Sequence, residues 1–252
     1  IMNSLIRHLS REKGTTAMLL ISSLIIGLCA LAPSLFVIIV LNKYLASGIS
    51  GTLISLTVGA IIAIVFEFSF RQNRGTMMTA FNQRVYDPLL KTFSEKFKTA
   101  GQLTAEQYKK LDGAGTMIKN MRSSSTTSWI LDWPFVLGFL IVLLYINWTA
   151  ALIAAIFMIL MMVLTAQRMN LGLKSDSTAN LEIFLTGLMT VVIISVGATQ
   201  IIAGTLDVGL LIGSNILASR ALQGANKYAK AKEFIQQRDN AVREIINYVK
   251  SK

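Results

Sequence analysis

The sequence predicts an all-α, polytopic membrane protein with six membrane-spanning helices and cytoplasmic helical extensions. Three observations predict it. Apolar residues make up 53% of the chain, charged residues 15%, and mean hydropathy is +0.58, too apolar for an ordinary soluble domain. Six segments come near the roughly 20 apolar residues that carry a helix across a bilayer core. Alternating polarity is absent, which argues against a barrel.

The six segments are Thr16–Leu41, Thr52–Phe70, Trp129–Ile146, Thr149–Ala166, Ile183–Ala203 and Val208–Leu222. The first is too long for a cleavable signal, and further spans follow it. The chain begins at Ile1 and not Met, as expected of a segment of a longer protein. Only Asn147 and Trp148 separate the third and fourth spans, which fits a tight helical hairpin. The sixth is short and continues into polar sequence.

Charge orients these spans. Of 24 lysines and arginines, three precede the first span, ten lie in residues 71–127, two in 168–174 and eight from Arg220 onward; Lys43 alone falls on the other side. Positive residues stay cytoplasmic, so both termini and residues 71–127 are expected in the cytoplasm and Lys43–Gly51 outside. The net charge of +11 thus reflects an inner leaflet. A nucleic-acid partner is not expected, because basic residues are not interleaved with stacking aromatics on a soluble domain.

The long connection 71–128 is expected to form a stalk hairpin. Met77, Phe81, Val85, Leu89, Phe93 and Phe97 recur every four residues, an apolar helical stripe. Pro88 in "YDPLL" is expected to kink or restart this helix. Thr104 is a candidate N-cap with Gln107 at capping-box spacing. Thr104, Glu106 and Gln107 would open a short cross-helix, a candidate coupling helix between two stalks. The alternative is an amphipathic hairpin on the lipid surface. In the C-terminal stretch 221–252, Ile235, Val242, Ile245 or Ile246, and Val249 fall at helical spacing. That helix could pack on the first stalk, pair with a second copy, or lie at the headgroups.

Chemistry-bearing residues are few. Cys29 is alone in the first span and reads as a packing residue. His8 lies in the polar N-terminal arm. No Cys/His cluster indicates a metal, and no Ser/His/Asp set can be assembled in the membrane. No glycine is followed by lysine, so the chain has no phosphate-cradling P-loop, no cofactor of its own and no expected enzymatic activity.

The remaining candidates are structural first. Glu67 and Arg71 have the i,i+4 spacing of an ion pair near the cytoplasmic end of the second span, although an acid within a span is by default a functional candidate. In "WILDWPF", Asp132 is expected to cap the third span, with Pro134 in its first turn and Trp129 and Trp133 at the interface; contact with a substrate is the alternative role. Gly209 and Gly213 form a small-xxx-small face that allows close helix approach. Ser214, Asn215 and Ser219 line a polar path or bond across helices. Arg220 is expected to snorkel to the cytoplasmic interface.

Several stretches resemble the ABC transporters of bacterial type I secretion systems. "APSLFVIIVLNKYLASGISGTLISLTVGAIIAIVFEFSFRQNR" is similar to their first two spans, with a mid-span proline, "TL" opening the next span, and "FE" before an arginine. "SSSTTSWILDWPFVLGFLIVLLY" resembles the entry to the third span, and "VGATQIIAGTLDVGLLIGSNILASRAL" the last two. The resemblance touches most of the chain and implies a single ABC-exporter-like transmembrane domain over 1–252 in the bacterial inner membrane. It implies a homodimer or heteromeric complex, ATP used only through a separate or missing ATPase domain, and a polypeptide cargo. The cargo would pass to a periplasmic adaptor and an outer-membrane channel. The family's fourth and fifth spans extend into the cytoplasm and carry a second coupling helix, whereas only residues 167–182 join them here.

Three function classes follow: a permease subunit paired with a second copy, a non-transporting scaffold built on the exporter plan, and an ion- or proton-driven transporter. The last is weakest, since few acids lie in the spans and no internal repeat is evident.

Overall fold

The computed structural model describes residues 13–44, 50–98, 104–171 and 176–251. His8 lies outside them. The described residues are helical nearly throughout. They form α1 (Lys13–Cys29), α2 (Ala32–Ile39), α3 (Ser50–Lys98), α4 (Ala105–Ser123), α5 (Trp133–Ile146), α6 (Trp148–Leu171), α7 (Asp176–Ile202) and α8 (Val208–Ser251). A π-helical turn, Val40–Tyr44, follows α2, and a 3₁₀ segment, Thr126–Asp132, precedes α5.

Among the described residues, five stretches are long and apolar enough to cross a membrane: Gly14–Lys43, Leu53–Phe97, Thr126–Ile146, Trp148–Gln167 and Asn180–Ile202. The protein is therefore a multi-pass membrane protein by the length and composition of its helices. Val208–Leu222 is not among them; it is the opening part of α8, whose remainder is polar.

Two compact units divide the chain, one of Ser22–Arg71 and Ile130–Ala229, the other of Ile1–Ile21, Gln72–Trp129 and Lys230–Lys252. The first unit holds the apolar core. Leu143, Ala154, Met161, Met189, Ile193, Leu217 and Leu222 are fully buried there. Its outward side chains are also apolar, as Phe68, Ile141 and Ile183 show at 69%, 69% and 73% exposure. An apolar exterior around a close-packed interior is what hydrocarbon as solvent requires.

Local chemistry explains the breaks in this unit. Pro33 sits in the first turn of α2, where its missing N–H leaves no orphan, and α1 ends at Cys29 just before it. The expected hairpin between the third and fourth spans forms on one residue. Asn147 ends α5, and its Oδ1 accepts from the backbone N–H groups of Thr149 and Ala150, both at 3.2 Å. It thereby satisfies the free donors that open α6. α6 reaches Leu171 and α7 starts at Asp176, so among the described residues no second cross-helix lies between them.

The second unit is built on the stalk stripe. Phe93, Leu111, Ile118, Met121, Ala241 and Ile245 form one buried cluster, with Val85, Leu89, Phe97 and Val249 packed against it. The C-terminal helix therefore packs on the stalk, one of the three arrangements open to it. Two expectations are corrected here. Pro88 does not restart the helix, one of the two outcomes expected of it; α3 runs unbroken from Ser50 to Lys98. Pro88 is exposed, so water can take up the carbonyl it leaves unpaired, while the buried neighbours Tyr86 and Phe93 hold the helix on its packed side. Nor do the described residues contain a separate cross-helix. Thr104 caps α4 with both bonds of the capping box, Gln107 N–H to Thr104 Oγ1 at 3.3 Å and Thr104 N–H to Gln107 Oε1 at 3.2 Å. The helix it starts is itself the returning stalk. Gly113 and Gly115 do not end it, and Gly115 lies against the ring of Phe93, where packing outweighs the helix cost of glycine.

Glu106, in the first turn of α4, pairs with Lys110 at 2.9 Å. The hydrogen bond from Lys110 holds its carboxyl below the usual range. Both side chains are well exposed, so this is a surface ion pair of the kind that contributes little.

Candidate functional site: a charged pocket among apolar helices

Glu67 lies where the apolar run of α3 gives way to polar sequence, and the first unit buries it to 6% exposure. An ionised carboxylate at such a site has to be paired. Arg71, one turn on, donates Nε and Nη2 to Glu67 Oε1 at 3.0 and 2.8 Å. Arg220 of α8 donates Nη1 to the same oxygen at 2.7 Å. The local pair has the spacing read from sequence; the second arginine adds a partner from another helix, Arg220, whose side chain keeps 28% exposure.

Asp132 completes the cluster, and its role also differs from expectation. It precedes α5 but makes no side-chain capping bond. The 3₁₀ segment before it leaves its backbone helical, at φ −82° and ψ −14°, instead of in the extended form of a capping residue, and Pro134 offers no N–H. Its Oδ2 lies 4.0 Å from Arg71 Nη1, a partner on another helix. Pro134 sits in the first turn of α5, as its fixed φ favours. Trp133 stacks on Tyr228 with ring centroids 4.5 Å apart.

These groups border a pocket of about 130 Å³. Its lining includes the charged Glu67, Arg71, Asp132, Arg220 and Lys227 and the apolar Ile26, Phe135 and Phe139. Drug-sized ligands occupy pockets of roughly 300–1,000 Å³, so this one has room only for a compact group and its waters.

Gly209 and Gly213 lie on one side of α8, against α2. A Cβ on Gly209 would fall on Asn42 Oδ1, and one on Gly213 would fall on Ile38 Cγ1 and lie 3.2 Å from the Ser34 carbonyl. The missing side chains let Asn42 Oδ1 accept the Gly209 N–H at 3.1 Å and close the N-terminus of α8. Close approach within the chain is thus what this pair does. Ser214 is fully buried, and among the described residues its hydroxyl and Asn215 Oδ1 have no hydrogen-bond partner. Ser219 is half-buried.

Three structural residues were invisible in the sequence reading. Asn82, 1% exposed, donates Nδ2 to the carbonyls of Met121 and Ser124 at 3.2 and 2.9 Å, closing the C-terminus of α4. Arg238, 2% exposed, pairs with Asp239 at 2.6 Å and donates to Tyr86 Oη at 3.3 Å. Asn226 donates to Glu182 of α7. All three bond across more than 35 residues, which no local period reports. No metal-holding group of His, Cys, Asp and Glu occurs among the described residues. No family model matches the chain, and the search of curated proteins gives no match either.

Proposed function

We propose that this chain is the membrane-spanning permease subunit of an exporter resembling those of bacterial type I secretion. In this reading two copies form a polypeptide path in the inner membrane, powered by ATPase domains outside these 252 residues. The observation that carries it is the length and two-part character of α3 and α8. At about 1.5 Å per residue, the 49 residues of α3 and 44 of α8 each far exceed a hydrocarbon core of about 30 Å. Their polar parts carry apolar faces that pack with α4, as stalks that reach an ATPase require. The opening part of α8 makes a sixth crossing: Leu211, Leu217, Ala218 and Leu222 are buried in protein, so it needs less apolar surface than a lipid-facing span. Both termini are then cytoplasmic. The Glu67 cluster holds helices of the path together near its cytoplasmic end. A periplasmic adaptor and an outer-membrane channel would complete the route.

A second reading, a scaffold that no longer transports, is favoured by the short connection between α6 and α7. Tyr108, 53% exposed near the start of α4, offers a crosslinking position. With Tyr108→Cys in native membranes, the permease reading expects a nucleotide-sensitive crosslink to a P-loop ATPase and no stoichiometric ATP binding by the chain alone. Binding of ATP by the isolated polypeptide would contradict the assignment of power to a partner. An intact complex of other membrane proteins with no ATPase would establish the scaffold.

A further inference from the structure

We infer that the pocket beside Glu67 binds a compact anionic phosphate group, and that its source is the headgroup of an acidic phospholipid. This goes beyond the permease reading and does not depend on it. Three observations converge. The first is charge: among the residues that line the cavity, the basic Arg71, Arg220 and Lys227 outnumber the acidic Glu67 and Asp132 by one. The second is hydrogen-bonding capacity. A guanidinium has five N–H donors. Among the described residues Arg220 commits only Nη1, to Glu67, and Arg71 only Nε and Nη2, with Nη1 4.0 Å from Asp132. The arginine side chains keep 33% and 28% exposure, so the remaining donors are reachable. Planar forks with spare donors match phosphate oxygens better than any other common anion except carboxylate.

The third observation is place and size, and it selects the lipid. The cavity of about 130 Å³ fits a phosphate with a few waters, not a nucleotide. Its lining residues Glu67 and Arg71 lie where the exposed apolar side chains of α3, among them Val65, Phe66 and Phe68, give way to polar sequence. A helix whose outward face changes there has its headgroup layer at that depth. Phe135 and Phe139 also line the cavity and supply apolar surface suited to the glycerol and first methylenes of a lipid.

The test uses the purified full chain, stripped of lipid in detergent and titrated with phosphatidylglycerol, phosphatidylcholine or inorganic phosphate. Thermal stability and native mass spectrometry are the readouts. Phosphatidylglycerol should bind saturably and raise the melting temperature, and phosphatidylcholine, which has no net charge, should do so far less. Lys227→Gln leaves all three hydrogen bonds to Glu67 in place and should weaken phosphatidylglycerol on the order of fivefold, the typical effect of one basic residue at an anionic surface. Lys43→Gln, away from the pocket, should not. Competition by millimolar inorganic phosphate would keep the phosphate site but assign it to a soluble anion and overturn the lipid source. Equal retention of both lipids, or the same affinity in Lys227→Gln as in the unaltered protein, would overturn the site.

Discussion

Glu67→Ala should be the most damaging single polar substitution in the first unit. Among the described residues it removes the only carboxylate that both Arg71 and Arg220 contact at hydrogen-bond distance, 2.8 and 2.7 Å from one oxygen. Two guanidinium groups would then face each other with Asp132 as the nearest compensation. Removing one partner of a fully buried ion pair costs about 3–5 kcal/mol. The arginines here are about one-third exposed, which places the expected loss near the lower end, about 3 kcal/mol. Glu67→Gln keeps an acceptor oxygen and should lose roughly half as much, about 1.5 kcal/mol. The double variant Glu67→Ala, Arg220→Ala should be less destabilised than the sum of the two single changes, because the second change removes the charge that the first left unpaired. Strict additivity in detergent denaturation would show that the contact between α3 and α8 contributes nothing.

Gly213→Leu should abolish the folded state, and Gly213→Ala should already cost about 1–3 kcal/mol, the usual penalty for overpacking. The reason is position, not conformation. A single methyl at 213 would collide with Ile38 and press on the Ser34 carbonyl, and backbone cannot swing aside as a long side chain can. Gly59 provides the control: nothing lies within 4 Å of the Cβ it would gain. Gly59→Ala should therefore be neutral or stabilise by about 0.5–1 kcal/mol through helix propensity. Thermal unfolding of the three variants side by side checks the pair. A Gly213→Ala protein as stable as Gly59→Ala would mean that α2 and α8 do not approach closely there.

What the sequence disclosed is what local periodicity can carry. The capping box at Thr104 and Gln107 and the ion pair of Glu67 and Arg71 are three- and four-residue spacings. The helix backbone alone sets the distance at such spacings, and both form. The apolar stripe of α3 was legible for the same reason, although exact four-residue spacing drifts from a 3.6-residue turn, and Met78 takes the fully buried place that Met77 was expected to fill. The misreadings came from treating residues as local punctuation when packing overrode them. Pro88 was expected to kink or restart its helix, and the helix does not restart there. Asp132 was expected to cap a helix whose start is already continued backward by a 3₁₀ turn. The second arginine of the Glu67 clamp, 153 residues away, and the Asn42 cap on Gly209, 167 residues away, leave no trace in any short window. The pocket is made of such long-range meetings. Its individual charges were visible beforehand, but their convergence was not.

The central claim is a chain of six crossings that returns its stalk hairpin and its C-terminal helix to one face of the membrane. It is tested most directly by single cysteines in a Cys29-free background, labelled in intact cells with a membrane-impermeant maleimide. The positions are Lys43, Tyr108 and Gln237, all exposed. The account predicts that Lys43→Cys is labelled from outside, whereas Tyr108→Cys and Gln237→Cys react only once the cytoplasmic face is opened. Labelling of Gln237→Cys from outside would remove the sixth crossing, and labelling of Tyr108→Cys from the same side as Lys43→Cys would contradict the topology from which the permease reading starts.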